Sequence, residues 1–255
     1  MQSRYIFLLL LVVSLPVSAQ DAQIISDVYR WEGATIEKNA NSQSRQLVEG
    51  ATPAFTHVKI HATTVEVGHA AHAGHSHADE ELIIVKEGTL RVTIEGKTEL
   101  LETGSVAVMM PGDEHGFVNG GNGPVSYYVM RYETPQVDAK RGQGAGGSFV
   151  KHWNELAYKT NEKGGRRNVF DRATAQSERF EMHITTLNEG LMSHPPHTHK
   201  AAEILLLIDG EAEESIDGKW IPAAIGDIIF LQSNVPHAIR NTGKGSCTYF
   251  AFQFE

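Results

Sequence analysis

The sequence predicts an all-β chain built from two copies of one small barrel or sandwich. From residue 54 onward, short runs rich in Val, Ile, Thr, Phe and Tyr are broken by Gly, Asn and Asp, which is typical of many short strands. The pairs Glu95-Gly96 and Asp217-Gly218 predict tight hairpin turns, because such pairs adopt positive φ at low cost. No long segment has helical periodicity, and at most a short helix is expected at 153–159.

An internal repeat predicts the two copies. Residues of the first half recur 122 positions later, with no insertion or deletion between the copies. The matched pairs are His75/His197, His77/His199, Glu81/Glu203, Gly88/Gly210, Gly104/Gly226, His115/His237 and Asn119/Asn241. Such a repeat indicates one folding unit that has been duplicated.

The first residues predict export. Arg4 precedes a short apolar run, and Val17-Ser18-Ala19 fits the small-residue cleavage pattern of a secretory signal peptide at residues 1–19. The run is shorter than the roughly 20 residues of a membrane-spanning helix. We therefore expect an exported protein, periplasmic or secreted, that has no membrane association after cleavage.

The rest of the chain divides into four segments. Residues 20–53 have no repeat partner and are predicted to form an N-terminal arm that packs on the first barrel. The barrels are expected at 54–133 and 176–255. Between them, residues 134–175 predict a linker, glycine-rich and mobile at 142–147, followed by an arm that introduces the second barrel.

The charge and composition of the chain limit the classes of partner that it is expected to bind. The net charge is −9 and no stretch is rich in Lys or Arg, so nucleic acid and anionic membranes are excluded as expected partners. With 41% hydrophobic residues the chain can bury a core. Cys247 is the only cysteine, which excludes a disulfide within the chain, and it is predicted to be a small buried hydrophobe.

The repeated histidines predict two metal sites. His75, His77 and Glu81 are separated by even numbers of residues, so they share one face if the strand runs through them. His115 comes from a separate strand after a turn. The second copy places His197, His199, Glu203 and His237 in the same way. Three imidazoles and one carboxylate suit Mn, Fe, Co, Ni or Zn, and leave positions open on a six-coordinate ion.

These motifs resemble those of the cupin superfamily. The first motif is Gly68…His75-Ser-His77…Glu81…Gly88, and the second is Gly104…Met110-Pro-Gly112…His115…Asn119. The second copy spans Gly190…Gly210 and Gly226…Asn241. Both copies have one extra residue before the His-x-His pair, Met110 and Gln232 replace the usual proline, and Asn234 replaces a glycine. The resemblance implies a bicupin, with two jelly-roll-type β-barrels in tandem and up to two divalent metal ions per chain.

Residues around the ligands have competing interpretations. His72 and His194 are acid–base candidates close to each metal site, or part of a histidine-rich loop. Arg131 is a candidate for binding a substrate carboxylate, as are Arg166 and Arg167, or each forms a structural salt bridge. The histidines His61 and His183 either line the barrels or lie on a solvated face.

Strand parity and side-chain type predict the environment of other residues near the motifs. Glu80 has the opposite parity to Glu81 and is predicted to lie at the surface. The aromatic residues Tyr127, Tyr249, Trp153 and Trp220 are predicted to belong to the core.

The resemblance leaves two classes of function open. In the first, the chain is an exported metalloenzyme acting on a small polar molecule, such as a carboxylate, a sugar acid or a phenolic compound. Mn or Fe is favoured for dioxygen chemistry, as in the oxalate-degrading and flavonol-cleaving bicupins, and a Lewis-acid metal suits isomerase, lyase or hydrolase chemistry. In the second, it is a non-enzymatic metal- or sugar-binding module. A homodimer is possible in either case.

Overall fold

The computed structural model describes residues 22–255, so the predicted signal peptide lies outside the described residues. The first strands are β1 (Asp27–Tyr29), β2 (Ile36–Lys38), β3 (Ser42–Gly50), β4 (His57–Val65), β5 (Glu80–Glu87), β6 (Thr89–Ile94), β7 (Lys97–Glu102), β8 (Val106–Met109), β9 (His115–Asn119) and β10 (Val125–Glu133). After helix α1 (Ala139–Gly144) come β11 (Phe149–Lys151), a 3₁₀ turn (Trp153–Glu155), β12 (Lys159–Asn161), β13 (Gly164–Arg172), β14 (Phe180–Leu187), β15 (Ala202–Asp209), β16 (Ala212–Ile216), β17 (Lys219–Ala223), β18 (Ile228–Leu231), β19 (His237–Asn241) and β20 (Cys247–Phe254).

The strands form two barrels, each with a seven-stranded and a three-stranded antiparallel sheet. The first barrel combines the order β11-β8-β5-β10-β4-β3-β2 with β7-β6-β9. The second combines β1-β18-β15-β20-β14-β13-β12 with β17-β16-β19. The expected all-β, tandem-barrel architecture is therefore confirmed. Among residues 22–255, no helix is long and apolar enough to cross a membrane.

The two barrels exchange a strand. β1 comes from the N-terminal arm and pairs with β18 of the second barrel, with Val28 opposite Ile229. β11 comes from the linker and pairs with β8 of the first barrel, with Val150 opposite Ala107. The expectation that the whole arm packs on the first barrel is wrong for β1, although β2 and β3 do extend the first sheet.

Each exchanged strand leads into a tryptophan that covers a motif glycine. A Cβ on Gly226 would lie 2.9 Å from Trp31, and one on Gly104 would lie 2.4 Å from Trp153. Both glycines also have positive φ, +94° and +85°, which only glycine adopts easily. Trp31 and Trp153 are 122 residues apart, so the arm has a repeat partner after all.

The turns confirm a prediction, and the linker contains an unpredicted helix. Ile94 pairs with Lys97 and Ile216 with Lys219, which makes each predicted hairpin a two-residue turn. In the linker, Asp138 caps helix α1 through its carboxylate, and the predicted mobility of residues 142–147 stays a prediction. Gly142 packs so closely on Ala175 that a Cβ would lie 2.8 Å from its backbone nitrogen.

An aromatic cluster joins the two barrels into one core. Phe180 stacks on Phe254 with ring centroids 4.3 Å apart, and Phe55 meets Phe254 edge-on at 5.1 Å. Tyr132 lies 5.2 Å from Phe254. Phe55 and Tyr132 belong to the first half of the chain and Phe180 and Phe254 to the second. Since large buried aromatic rings dominate core energetics, this cluster holds the barrels together.

Strand β5 of the first barrel and strand β15 of the second are consequently buried on both faces. In β5, Leu82 and Ile84 belong to the core between the barrels, whereas Ile83 and Val85 belong to the interior of the first barrel. Ligand residue Glu81 shares the parity of the interior residues. This alternation directs the carboxylate into the barrel, where the metal ligands meet.

Candidate metal centres

The predicted ligands converge in each barrel, although by a different route from the one expected. β5 begins at Glu80, so His75 and His77 lie in the loop before the strand rather than on it. His75 is held in place by two backbone hydrogen bonds to His115, each 2.9 Å long. His197 and His237 form the same paired bonds at 3.1 and 3.0 Å. A short bridge therefore replaces the continuous strand that the spacing predicted.

The ligand atoms lie close enough to share one ion. In each barrel, one ring nitrogen from each of three histidines lies within 4.8 Å of the others: His75, His77 and His115 in the first and His197, His199 and His237 in the second. Glu81 Oε2 lies 2.8 Å from His77 Nε2, and Glu203 Oε2 lies 3.1 Å from both His199 Nε2 and His237 Nε2. The carboxylates thus complete both ligand sets.

Hydrogen bonds to backbone carbonyls orient the imidazole rings for a metal. His115 Nδ1 donates to the carbonyl of Asp113 at 2.9 Å, and His237 Nδ1 donates to that of Val235 at 2.8 Å. A carbonyl oxygen only accepts, so the proton is on Nδ1 and the Nε2 lone pair of the neutral ring is free. The Nε2 atoms of His115 and His237 are buried, and with the proton on Nδ1 they cannot donate to the glutamate oxygens that lie 3.5 and 3.1 Å away. A divalent cation would satisfy them, so the residues present fit a metal.

The two ligand carboxylates are ionised despite their burial. Burial alone would raise the pKa of Glu81, but the imidazoles of His115 and His77, which lie 3.5 and 2.8 Å from its carboxylate, outweigh burial and lower the pKa. For Glu203, burial again raises the pKa, but the contacts with His199 and His237 lower it by more and leave it far below its usual range. Anionic oxygen ligands are what a divalent ion requires.

The groups that contact the Nδ1 atoms of His77 and His199 differ between the two sites. In the first barrel, the Asp79 carboxylate lies 2.8 Å from His77 Nδ1 and accepts two hydrogen bonds from Arg131, at 2.6 and 2.7 Å. In the second barrel, Ala201 stands in the place of Asp79 and offers His199 only a backbone carbonyl, at 2.9 Å. A carboxylate behind an imidazole makes it a stronger ligand, so we expect the first site to bind metal more tightly.

Cavities of similar size open onto the two centres but differ in their walls. The first measures about 270 Å³ and is lined by His61, His72, Arg131 and Phe117, among others. The second measures about 290 Å³ and reaches past the ligands to Ile239 and Glu214. Phe117 occupies the position of Ile239 in the repeat, and its ring lies 5.5 Å from that of His115. The larger side chain fills part of the space that is open in the second barrel.

The acid–base candidates lie against the ligands. The ring of His72 is 4.5 Å from that of His75, and the ring of His194 is 4.0 Å from that of His197. Both line the cavities, and so do His61 and His183, which supports the barrel-interior interpretation of the latter pair. The predicted roles of His72 and His194 stay predictions.

The arginine candidates make structural contacts. Arg131 is tied to Asp79, and Arg166 Nη2 donates to Glu181 at 2.8 Å. Arg167 stacks over Trp153, 4.7 Å from the ring centroid. The contacts of Arg131 and Arg166 each lie within one barrel, whereas Arg167 on β13 of the second barrel reaches Trp153, which covers Gly104 of the first. Arg131 and Arg166 also line the cavities. A role in binding a carboxylate stays a prediction for Arg131.

The predicted environment is wrong for Glu80 and correct for three residues assigned to the core. Glu80 is fully buried instead of exposed, because the outer face of β5 packs against the second barrel. Its carboxylate accepts hydrogen bonds from the Tyr132 hydroxyl and from the backbone N–H of Gln176. Tyr127, Tyr249 and Cys247 are buried as predicted. The prediction holds only in part for Trp153 and Trp220, which are half-buried.

His61 is expected to make the first barrel sensitive to acid. Burial lowers its pKa to about 4, from 6.5 in the unfolded chain. The folded state then binds fewer protons between these values, so stability is retained above pH 6.5 and lost as the pH falls towards 4. The shift corresponds to about 3 kcal/mol. In His61→Gln, metal-free and unfolded with urea at pH 7.5 and pH 4.5, most of this loss should vanish. The exposed His69→Gln should behave like the parent, and equal acid sensitivity in His61→Gln would contradict the prediction.

Comparison with known proteins supports the same architecture. Residues 62–131 and 183–252 each match the cupin domain family. No curated protein sequence is significantly similar to the chain. Among solved structures, AerE from Microcystis aeruginosa shares 15% identity at a TM-score of 0.68, over 87% of this chain and 97% of that one. Protein Ylba from E. coli shares 18% sequence identity at a TM-score of 0.68, over 89% of this chain and 90% of that one. The oxalate decarboxylase of Lactobacillus farciminis, solved as a formate complex, shares 14% sequence identity at a TM-score of 0.70, over 92% of this chain and 88% of that one.

At these identities the structural likeness concerns the fold. The two family matches, however, cover more than half of the chain and enclose all eight predicted ligands. They coincide with two barrels that each present three histidines able to hold a metal ion. The chain therefore belongs to the cupin family and is a bicupin, with one cupin domain in each half.

Proposed function

We propose that the protein is an exported, divalent-metal-dependent enzyme acting on a small anionic molecule, with its working centre in the second barrel. The observation that carries this proposal is the cavity of about 290 Å³ that opens directly onto His197, Glu203 and His237. Export rests on the predicted signal peptide at residues 1–19.

The ligand set supports the metal requirement. His197, His199, Glu203 and His237 would hold the ion in the second barrel. A bound Mn, Fe, Co, Ni or Zn ion would supply a Lewis acid, and Mn or Fe would add redox chemistry with dioxygen. The walls of the cavity would bind the substrate, orient it and limit the access of water.

Positively charged and imidazole groups favour an anionic substrate. Lys163 and Arg166 line the cavity together with His183 and His194. Lys163 is fixed by a hydrogen bond to the Ser193 carbonyl at 2.6 Å. Cationic side chains at a cleft attract carboxylates and raise their local concentration. We therefore favour a small carboxylate or sugar acid over a neutral phenolic compound.

A histidine with a carboxylate partner supports catalysis in the second barrel. His183 Nδ1 lies 3.0 Å from both oxygens of Glu181, and its ring lines the cavity. Such a carboxylate fixes the ring orientation and leaves Nε2 for proton transfer to or from a substrate. In the first barrel His61 stands in the place of His183, and its Nδ1 is buried without a partner. The first site therefore suits metal holding better than turnover.

The test assigns turnover to one barrel. The mature chain from residue 20, loaded separately with Mn, Fe, Zn or Ni, is assayed against small carboxylates, sugar acids and phenolic compounds, with and without dioxygen. We expect activity on a carboxylate or sugar acid that Glu203→Ala abolishes and Glu81→Ala largely retains. Binding without turnover under every condition would overturn the enzyme proposal and favour a metal- or sugar-binding module. Activity lost only in Glu81→Ala would move the working centre to the first barrel.

A further inference from the structure

A buried glutamate distinguishes the second cavity from the first. Glu214 lies on β16 and is 0% exposed, and it lines the cavity together with Glu203 and His237. Among the described residues no side chain partners its carboxyl oxygens, and only the Ala238 backbone amide lies near enough to affect the pKa of this group. A buried carboxyl group that lacks a well-placed partner is unfavourable, so Glu214 destabilises the fold unless a ligand in the cavity partners it.

The fold does not need this residue. Val92 occupies the same position in the first barrel, where it is 1% exposed and packs in the apolar interior. The neighbouring strands are otherwise alike, since Glu214 pairs with Ile239 as Val92 pairs with Phe117. A valine therefore completes this barrel architecture. The carboxyl group of Glu214 must serve something other than packing.

Burial favours the protonated form of Glu214. It raises the pKa of this carboxyl group well above the ordinary value, against the smaller opposing effect of the Ala238 backbone amide. The titratable and charged groups around the same cavity are Glu203, His183, His194, His197, His237, Tyr249, Lys163 and Arg166. A protonated carboxyl group offers an O–H donor, and it does not repel an anion that enters the cavity.

We propose that Glu214 is a specificity-determining residue of the second barrel, whose O–H group donates a hydrogen bond to an oxygen of a small carboxylate. This inference rests on the proposed function, because it requires the second cavity to be the one that binds substrate. The cations at the wall attract the anion, and Glu214 supplies the donor at the inner end of the cavity. A hydrogen bond between a carboxylic acid and a carboxylate is charge-assisted, and therefore strong and selective.

The inference explains the difference between the two cavities. In the first barrel, Val92 and Phe117 place only apolar groups where the second has Glu214 and Ile239. A carboxylate that reached this depth in the first barrel would lose its hydration without finding a donor. The two sites therefore have the same types of metal ligand, but only the second cavity offers a hydrogen-bond donor to a carboxylate.

The test compares carboxylate binding by matched variants of the metal-loaded mature protein. Acetate and oxalate are the probes, acetamide is the uncharged control, and affinity is measured by calorimetry. Glu214→Val introduces the residue of the first barrel and should weaken carboxylate binding by about 10- to 100-fold, because the lost bond is to a charged group. Glu214→Gln keeps a donor and should weaken it less. Glu213→Gln, which alters the adjacent carboxylate paired with Arg240, should leave it unchanged.

Two further measurements keep the outcomes distinct. Metal content should be the same in all variants, and loss of metal in Glu214→Val would overturn the inference by making Glu214 a ligand. The infrared carbonyl band of a protonated carboxylic acid should be present at neutral pH and absent from Glu214→Gln. Unchanged carboxylate affinity in Glu214→Val removes the role of Glu214 alone. If the parent protein binds neither acetate nor oxalate, the proposed substrate class fails as well.

Discussion

Glu203→Ala is expected to remove the metal ion of the second barrel while the first barrel keeps its own. Glu203 Oε2 lies 3.1 Å from the Nε2 atoms of both His199 and His237, so it is the anionic member of the set and the link between two imidazoles. Without it, three imidazoles remain and the ligand set loses its only carboxylate. Elemental mass spectrometry should show metal content falling from about two ions per chain to about one, given one ion for each ligand set.

Two variants make this result specific. Glu81→Ala should give the same half-loss from the other barrel, and the double variant should be nearly metal-free. Glu213→Ala removes a carboxylate near the second site but outside it, and should retain full metal content. Unchanged metal content in Glu203→Ala would contradict the two-site account. Loss of both ions would show that the sites are not independent.

Phe180→Ala should destabilise the whole molecule rather than the second barrel alone. Phe180 is fully buried, and its ring contacts Phe170 at 4.9 Å, Phe254 at 4.3 Å and Tyr132 of the first barrel at 6.2 Å. Truncating such a ring leaves a cavity and costs about 3–5 kcal/mol. Urea unfolding followed by fluorescence and circular dichroism should show this loss in a single transition, because the cluster belongs to both barrels.

The control for this variant is a truncation at the surface. Leu100 is 51% exposed, and Leu100→Ala should change the free energy of unfolding by less than about 0.5 kcal/mol. Two separate transitions in the parent protein, with only one of them shifted by Phe180→Ala, would contradict a core shared by the barrels.

The convergence of the candidate metal ligands was predictable because each motif is local and appears twice. His75 and His77 are only two residues apart, and the repeat carries their pattern to His197 and His199. The even spacing correctly grouped the ligands with Glu81, but it wrongly placed the histidines on a continuous strand. Backbone pairing between His75 and His115 achieves the same convergence, and no spacing rule reveals such a bridge.

Glu80 and the exchanged strands depend on contacts that are distant in sequence. Parity predicts a solvent-exposed Glu80 if the outer face of β5 contacts solvent, whereas the second barrel covers that face. Pairing of β1 with β18 joins residues about 200 positions apart, with Asp27 opposite Phe230. A signal was nevertheless present, since Trp31 and Trp153 are separated by the repeat offset.

Glu214 was missed for a different reason. The repeat marks positions where the two halves agree, whereas Glu214 is informative because Val92 does not match it. Asp79 and Arg131, replaced by Ala201 and Gln253, form a second such difference, and the two members of the pair contact each other. Matches between the halves predicted the shared metal chemistry, and mismatches carry the difference between the sites.

The central claim is that both barrels are metal centres, and metal stoichiometry tests it most directly. The protein is purified without added metal or chelator, and its metals are identified and counted by elemental mass spectrometry. The account predicts about two divalent transition-metal ions per chain, one for each set of three histidines and a glutamate. A protein that is purified without metal, and takes up Mn, Fe, Zn or Ni only weakly, would contradict it.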